Sequence, residues 1–221
     1  MRVIRLACWL TVCLAAATVQ ADMSIALSRR LCAEPGVDLR VPLSIENADG
    51  GHSLGGFDFL ISYDSVLDLR HVAPGQILTD CGWEYFTHMS TGYHKHRFVS
   101  IAETINGPHH PSCFGDVDGV LVELKFQADS LGLESGEWLP VSFLWEDCGD
   151  NSLSSNGGDS QFVSLRVYDF DGTDETEITS DNGFPTQGGA PSECVQGGPG
   201  SSAVRAVDFH NGGLLITALD T

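Results

Sequence analysis

Gly55-Gly56-Phe57-Asp58-Phe59-Leu60-Ile61-Ser62-Tyr63-Asp64 sets the reading of the whole chain. Phe57, Phe59, Ile61 and Tyr63 recur every second residue, the period at which side chains of a β-strand share one face. Two glycines open the run and Asp64-Ser65 closes it, as turn residues do. Upstream, Val37, Leu39, Val41, Leu43 and Ile45 alternate with Asp38, Arg40, Ser44 and Glu46. This is a half-buried strand, and Pro42 within it, lacking an N–H, points to an edge position or a bulge. Asn47-Ala48-Asp49-Gly50-Gly51 is the turn between the two.

Outward from this pair, Val66–Val72, Arg97–Ala102, Gly119–Gln127, Pro140–Trp145, Gln161–Phe170, Val204–Phe209 and Gly213–Leu219 read as further strands, nine in all. No window of helical length keeps a clean 3.6-residue period free of Gly and Pro, so the crossover helices of a parallel α/β fold have nowhere to go. Short strands between Gly-, Asp- and Asn-rich turns predict an all-β sandwich with long loops, a barrel being the alternative. Residues 22–36 read as an approach segment, 37–216 as the sandwich and 217–221 as a tail. Two stretches break the strand spacing: 78–118, rich in His and aromatics, and 146–203, acidic and then rich in Gly and Ser, read as an insertion.

Residues 1–21 have a different character. Arg2 and Arg5 precede an apolar run, and Val19-Gln20-Ala21 places small side chains where a signal peptidase needs them. The expectation is export, with cleavage near Ala21 and a secreted, extracellular or cell-surface product. The chain's 11 basic and 30 acidic residues give a net charge of −19. Loss of the two leader arginines leaves 9 against 30, or −21. Such a charge repels phosphate backbones and anionic lipid, which disfavours nucleic-acid binding. No later stretch is long and apolar enough to span a membrane. A hydrophobic content of 42% is too high for an acidic disordered tail.

Cys8 and Cys13 lie in the leader, leaving Cys32, Cys81, Cys113, Cys148 and Cys194. Export permits disulfides, but the odd number requires a free, intermolecular or ligating thiol. Cys81 and Cys113 bracket most of the histidines, and His94 and His96, two apart on an extended segment, would share a side. The stretch therefore reads either as a transition-metal site or as a disulfide with surface histidines around it. Asp169, Asp171, Asp174, Glu175 and Glu177 alternate along a Gly-containing turn, which suits either Ca²⁺ or a solvated loop; Glu146-Asp147-Cys148-Gly149-Asp150-Asn151 offers a second acidic turn. Trp83, Tyr85, Phe86 and Tyr93 read either as a sugar-stacking row or as a lid over the end of the sandwich. No HExxH, Walker loop or GxGxxG occurs, and Ser53, although it stands in a GxSxG stretch (Gly51-His52-Ser53-Leu54-Gly55), has no strand-to-helix turn around it, so no catalytic site is expected.

Several segments resemble the cohesin family. Val37–Leu43 resembles its V-x-V-P strand, Gly56–Asp64 its G-F-x-F-x-x-x-Y-D strand, and Pro74–Leu78 its P-G-x-x-L turn. Gly119–Phe126 and Asp208–Ile216 resemble a later strand and the closing strand. Cys81–Phe86 and Asp147–Asn151 are similar to segments of secreted bacterial proteins that carry such a domain. The resemblance implies a nine-stranded jelly roll that binds a protein partner, a dockerin module, through one sheet face. Transferred by position, that face would use Asp68, Arg70, Arg97, Ser100 and Glu123. Polysaccharide binding by the same sandwich, or a structural surface or matrix role, is the alternative.

Overall fold

Along residues 54–63 Phe57, Phe59 and Ile61 face a core as their period requires, and Leu60, of the opposite parity, is buried as well. The computed structural model describes residues 23–46, 52–103, 110–113, 118–129, 133–147, 149–178 and 202–217. In chain order these form β1 (Met23–Leu27), β2 (Arg29–Ala33), β3 (Asp38–Arg40), β4 (Leu43–Glu46), β5 (Leu54–Tyr63) and β6 (Leu67–Pro74). A short helix, α1 (Gln76–Cys81), precedes β7 (Tyr85–Gly92), β8 (Lys95–Ile101), β9 (Gly119–Ala128), β10 (Trp138–Phe143) and β11 (Ser152–Ser155). The series ends with β12 (Ser160–Phe170), β13 (Glu175–Glu177), β14 (Ser202–His210) and β15 (Gly212–Ile216).

One hydrogen-bonded path runs β2-β15-β10-β5-β11-β12-β14-β1-β4-β9-β3, with β8 and β7 added at the other edge of β5 and β6 at that of β9. The result is an all-β sandwich. One layer is built around β5, β8 and β7, and the other around β14, β1, β4, β9 and β6. Phe59 of β5 meets Phe209 of β14 at 6.2 Å between ring centroids, and Tyr63 meets Phe126 of β9 at 5.1 Å. Phe59, Phe98, Phe126, Phe143 and Phe209 are fully buried. Each contributes about 1.5–3 kcal/mol through the apolar area it removes from water. Where β14 turns into β15 the chain passes so close to β1 that a Cβ on Gly212 would lie 2.4 Å from the Leu27 carbonyl oxygen. Only glycine fits there.

Four features differ from the sequence reading. Residues 22–36 are not an approach segment: β1 and β2 lie within them, and Met23, Ile25 and Leu27 are core residues. The alternation there is only three apolar residues long before Ser28-Arg29-Arg30 hides it. The Val37–Ile45 strand is broken at Val41-Pro42 into β3 and β4, which pair with successive parts of β9. Residues 146–178 are not an insertion, because β11 and β12 bridge β5 to β14, and Leu153, Phe162 and Val167 are buried. Ser152-Leu153-Ser154-Ser155 carries one apolar residue and so has no period to read. Finally, the 78–118 stretch holds α1 and a β7–β8 hairpin rather than one long loop. With these additions the described residues contain fifteen strands rather than nine. Residues 1–21, Cys148, Cys194 and the side chain of Cys32 lie outside the described residues.

The edge of β5 opposite β8 is shared. β10 pairs with Ile61–Tyr63 and β11 with Leu54–Asp58, which leaves the Leu60 N–H at the junction. The Asn151 side chain fills the gap: its Oδ1 accepts that N–H at 2.9 Å, and its Nδ2 donates to the Leu144 carbonyl at 2.8 Å. Asn151 is fully buried and has φ of 55°, a left-handed conformation that Asn tolerates better than most residues. Asn211 plays a similar part on β10, where its Oδ1 accepts the Phe143 N–H at 2.9 Å. Replacing Asn151 with Ala leaves a donor and an acceptor buried without partners, at about 1–3 kcal/mol each. Chemical denaturation of Asn151→Ala should therefore show a loss of about 2–4 kcal/mol. A change under about 0.5 kcal/mol would remove the side chain from this role.

Candidate functional site

The hairpin presents its outer face to solvent. Tyr85, Thr87 and Met89 of β7 stand opposite Ile101, Val99 and Arg97 of β8, and Val99 is in turn opposite Asp58 of β5. Tyr85, Met89 and Ile101 are 47%, 56% and 39% exposed. They are three of the six large apolar side chains left exposed among the described residues. Single exposed apolar residues are ordinary, but a cluster on one sheet face is the usual mark of an interaction surface.

The base of the hairpin is anchored. A Cys81–Cys113 disulfide closes a 32-residue separation and ties the end of α1 to the segment after β8. A loop of that length stabilises the fold by about 3–4 kcal/mol through the entropy it removes from the unfolded chain. Trp83 packs on Phe57 at 6.1 Å, and its Nε1 donates to the Cys113 carbonyl at 3.2 Å. Ser100 donates its hydroxyl to the Tyr85 carbonyl at 2.8 Å.

Beside the apolar cluster lies a charge ladder. Arg97 donates to Asp58 at 3.0 Å and also to Asp150, whose side chain is fully buried. Asp150 further accepts the N–H groups of Glu146 at 2.7 Å and Asp147 at 2.9 Å. Lys95 pairs with Glu146 at 2.5 Å. Burial pushes the Asp58 carboxyl up, against the pull of Arg97, while Asp58 and Asp150 together hold the Arg97 guanidinium above its usual value despite its own burial. The Asp147–Asn151 turn is thus committed to the fold, with its carboxylate on Arg97 and its amide on β5.

The five residues expected to form one recognition face are divided between layers. Asp68 and Arg70 lie on β6 and Glu123 on β9, in the sheet opposite β8. Arg97 is on the outer face of β8, but its guanidinium is already paired. Ser100 faces inward and is 1% exposed, opposite Phe57, because it shares the parity of Phe98. The residues missed were Met89, Thr87, Val99 and Ile101. The alternation of Tyr85, Thr87 and Met89 was their only sequence signal.

The aromatic row is also dispersed. Trp83 and Phe86 pack against the core, Tyr85 lies on the outer face and Tyr93 stands at the hairpin tip. His94 and His96 do not point together: His94 sits in the turn with φ of 53° against Tyr63 and Tyr93, while His96 lies on β8. Of the acidic turn, Asp171 accepts the N–H groups of Thr173 and Asp174 at 2.8 and 2.9 Å, and Asp169 accepts from Asn211 at 3.3 Å. Glu175 is paired with Arg29 and His210; Asp174 is in the turn and Glu177 opposite Tyr168. Among the described residues no group of three or more His, Cys, Asp or Glu side chains converges as a metal site would require.

Two predictions follow the charges. Arg97→Ala strands a fully buried carboxylate, and thermal unfolding should report a loss of about 2–4 kcal/mol. Arg97→Ala combined with Asp150→Asn should recover part of it. The second concerns the His88 Nδ1···His96 Nε2 contact of 2.9 Å, in which one ring must donate and the other accept. Burial, with the neighbouring His88 adding to it, lowers the His96 pKa to about 4 from 6.5. The unfolded chain takes up this proton first, so His96 costs stability as pH falls from about 6.5 to about 4. Replacing it by Phe should make the variant gain on the wild type over that interval in paired melts. A constant difference would show that His96 does not titrate differently on folding.

Comparison with known proteins concerns the fold. No family model matches the chain, and no curated protein does. Solved structures do. A Clostridium thermocellum OlpC cohesin, in complex with a dockerin, matches with a TM-score of 0.57 at 14% identity, covering 92% of this chain and 99% of that one. The third ScaC cohesin of Acetivibrio cellulolyticus, in complex with the ScaB dockerin, matches at 0.55 and 13% identity, over 89% and 99%. A non-cellulosomal cohesin of the archaeon Archaeoglobus fulgidus matches at 0.50 and 18% identity, over 90% and 94%. The sandwich described above is cohesin-like in fold.

Proposed function

We propose that the chain is an exported, non-catalytic recognition module, a jelly roll of the cohesin kind that binds a protein partner through the outer face of β7 and β8. The observation that carries the reading is the exposed cluster of Tyr85, Met89 and Ile101 on one face of a hairpin braced by a disulfide. A rigid sheet face loses little conformational entropy on binding, and its aromatic and Met side chains supply contact area. The matched cohesins solved with dockerins make a dockerin-type module the first partner to test. With a net charge of −19, the chain favours a partner whose rim is basic.

The test is surface-immobilised binding of the chain to a panel of dockerin modules. Saturable binding should persist in 0.5 M salt (about 0.5 M, where exposed charges are screened). Met89→Asp should weaken it by at least about tenfold, and Asp68→Asn, in the opposite layer, should leave it unchanged. Binding that ignores Met89→Asp would place the interface elsewhere.

A further inference from the structure

At the tip of the sandwich, away from the outer face of the hairpin, an open cleft of about 730 Å³ lies between the β7–β8 turn, the β5–β6 turn and the end of β9. It is lined by Tyr63, Asp68, Tyr93, His94, Gln127 and Asp129, among others, and its volume is that of a ligand site rather than a packing defect. The geometry points to a binding site for a neutral oligosaccharide, with Tyr93 as the stacking platform. This inference does not rest on the protein-recognition reading, since neither Met89 nor Ile101 lines the cleft.

Charge narrows the ligand first. Two carboxylates and no lysine or arginine line the cleft, and the chain as a whole is strongly acidic. Phosphorylated, sulfated and uronic ligands are repelled. Arg70, two residues from Asp68, is turned onto that carboxylate at 2.8 Å, and Lys95 onto Glu146.

Hydrogen-bonding chemistry narrows it further. The Tyr63 phenol stays protonated, since burial and then Asp68 push its pKa up, and it remains a donor. The carboxylates accept. Gln127 is fixed by donating its Nε2 to the Gly36 carbonyl at 2.5 Å. A simple cation carries donors only and would leave the phenol donor unmatched, whereas each sugar hydroxyl both donates and accepts.

The aromatic wall completes the site. Tyr93 is 83% exposed, more than any other large apolar side chain among the described residues. Its ring stands edge-on to His94 at 3.8 Å, and His94 stands edge-on to Tyr63 at 5.4 Å, so three rings line one side. His94 Nε2 is buried and has no hydrogen-bond partner, a state that costs about 1–3 kcal/mol. For a sugar hydroxyl to reach that nitrogen, one of the two tyrosine rings packed on His94 must move aside. Ligand binding then satisfies a polar atom that the free protein leaves unmatched.

The chain should be titrated by calorimetry and by NMR of the histidine rings with gluco-, xylo- and manno-hexaoses, polygalacturonate and hexalysine. At least one neutral hexaose should bind saturably and shift the His94 ring resonances. Tyr93→Ala, an exposed position where folding is not at stake, should weaken that binding by about tenfold or more, and Met89→Asp should leave it unchanged. No response to any neutral hexaose at about 10 mM overturns the assignment, that concentration being well above the weakest useful affinity. Preferential binding of polygalacturonate or hexalysine, or hexaose binding that survives Tyr93→Ala, overturns it equally. A negative result here leaves dockerin binding at the hairpin face untouched, and the converse also holds.

Discussion

Everything in the first layer depends on how β5 shares one edge between two partners. A ten-residue strand bonded to β8 along one side must be covered on the other by β10 and then β11. The chain that leaves β10 and enters β11 crosses the gap in the Glu146–Asn151 turn. Two neighbouring side chains hold that turn in place. Asn151 replaces the missing strand partner of Leu60, and Asp150 takes two backbone N–H groups of its own turn together with Arg97 from the far side of β5. A fully buried carboxylate would cost several kcal/mol if left alone. Here two amides and a guanidinium offset that cost, and the strand junction and the outer face become one unit.

The strands legible in the sequence were those with long apolar alternation. β5 carries Phe57, Phe59 and Ile61, and β9 carries Val122, Leu124 and Phe126; both were read within two or three residues of their ends. The strands that escaped had other reasons to be strands. β7 is mostly polar because it pairs only with β8 and six of its eight residues are exposed, and β11 is mostly serine because pairing on both sides holds it. β1 is short and sits beside Arg29 and Arg30, although its Met23, Ile25 and Leu27 are all at most 2% exposed. Periodicity reports burial contrast, and a strand without that contrast is invisible to it.

The site was less legible than the fold for a different reason. A resemblance transferred by position assigns residues to strands, but it does not say which strands share a layer. Asp68, Arg70 and Glu123 were grouped with Arg97 and Ser100, yet β6 and β9 pair with each other and β8 pairs with β5. The acidic turn shows how neighbouring groups engage carboxylates that composition alone leaves unassigned. Asp171 caps its own turn, where the backbone N–H groups of Asp174 and Thr173 hold its pKa below the usual range. Although burial works against it, Glu175 is held low by His210 and Arg29. Three of the five carboxylates on this turn, Asp169, Asp171 and Glu175, are therefore held by neighbouring donors.

The charges that remain explain how a chain of −19 can keep an apolar face uncovered. Only 11 basic side chains are present, and two of them, Lys95 and Arg97, lie on β8 against Glu146, Asp58 and Asp150. Two cations there face three carboxylates, so the hairpin face carries little of the chain's acidic excess. The distributed charge opposes self-association of the exposed Tyr85, Met89 and Ile101 between copies, because two such chains repel before their faces meet. Under the proposed function it also divides the work of recognition. Long-range attraction of a basic-rimmed partner belongs to the acidic surface and weakens with salt, so it governs the association rate. Retention belongs to the apolar cluster, whose contribution salt does not screen, so it governs the lifetime of the complex.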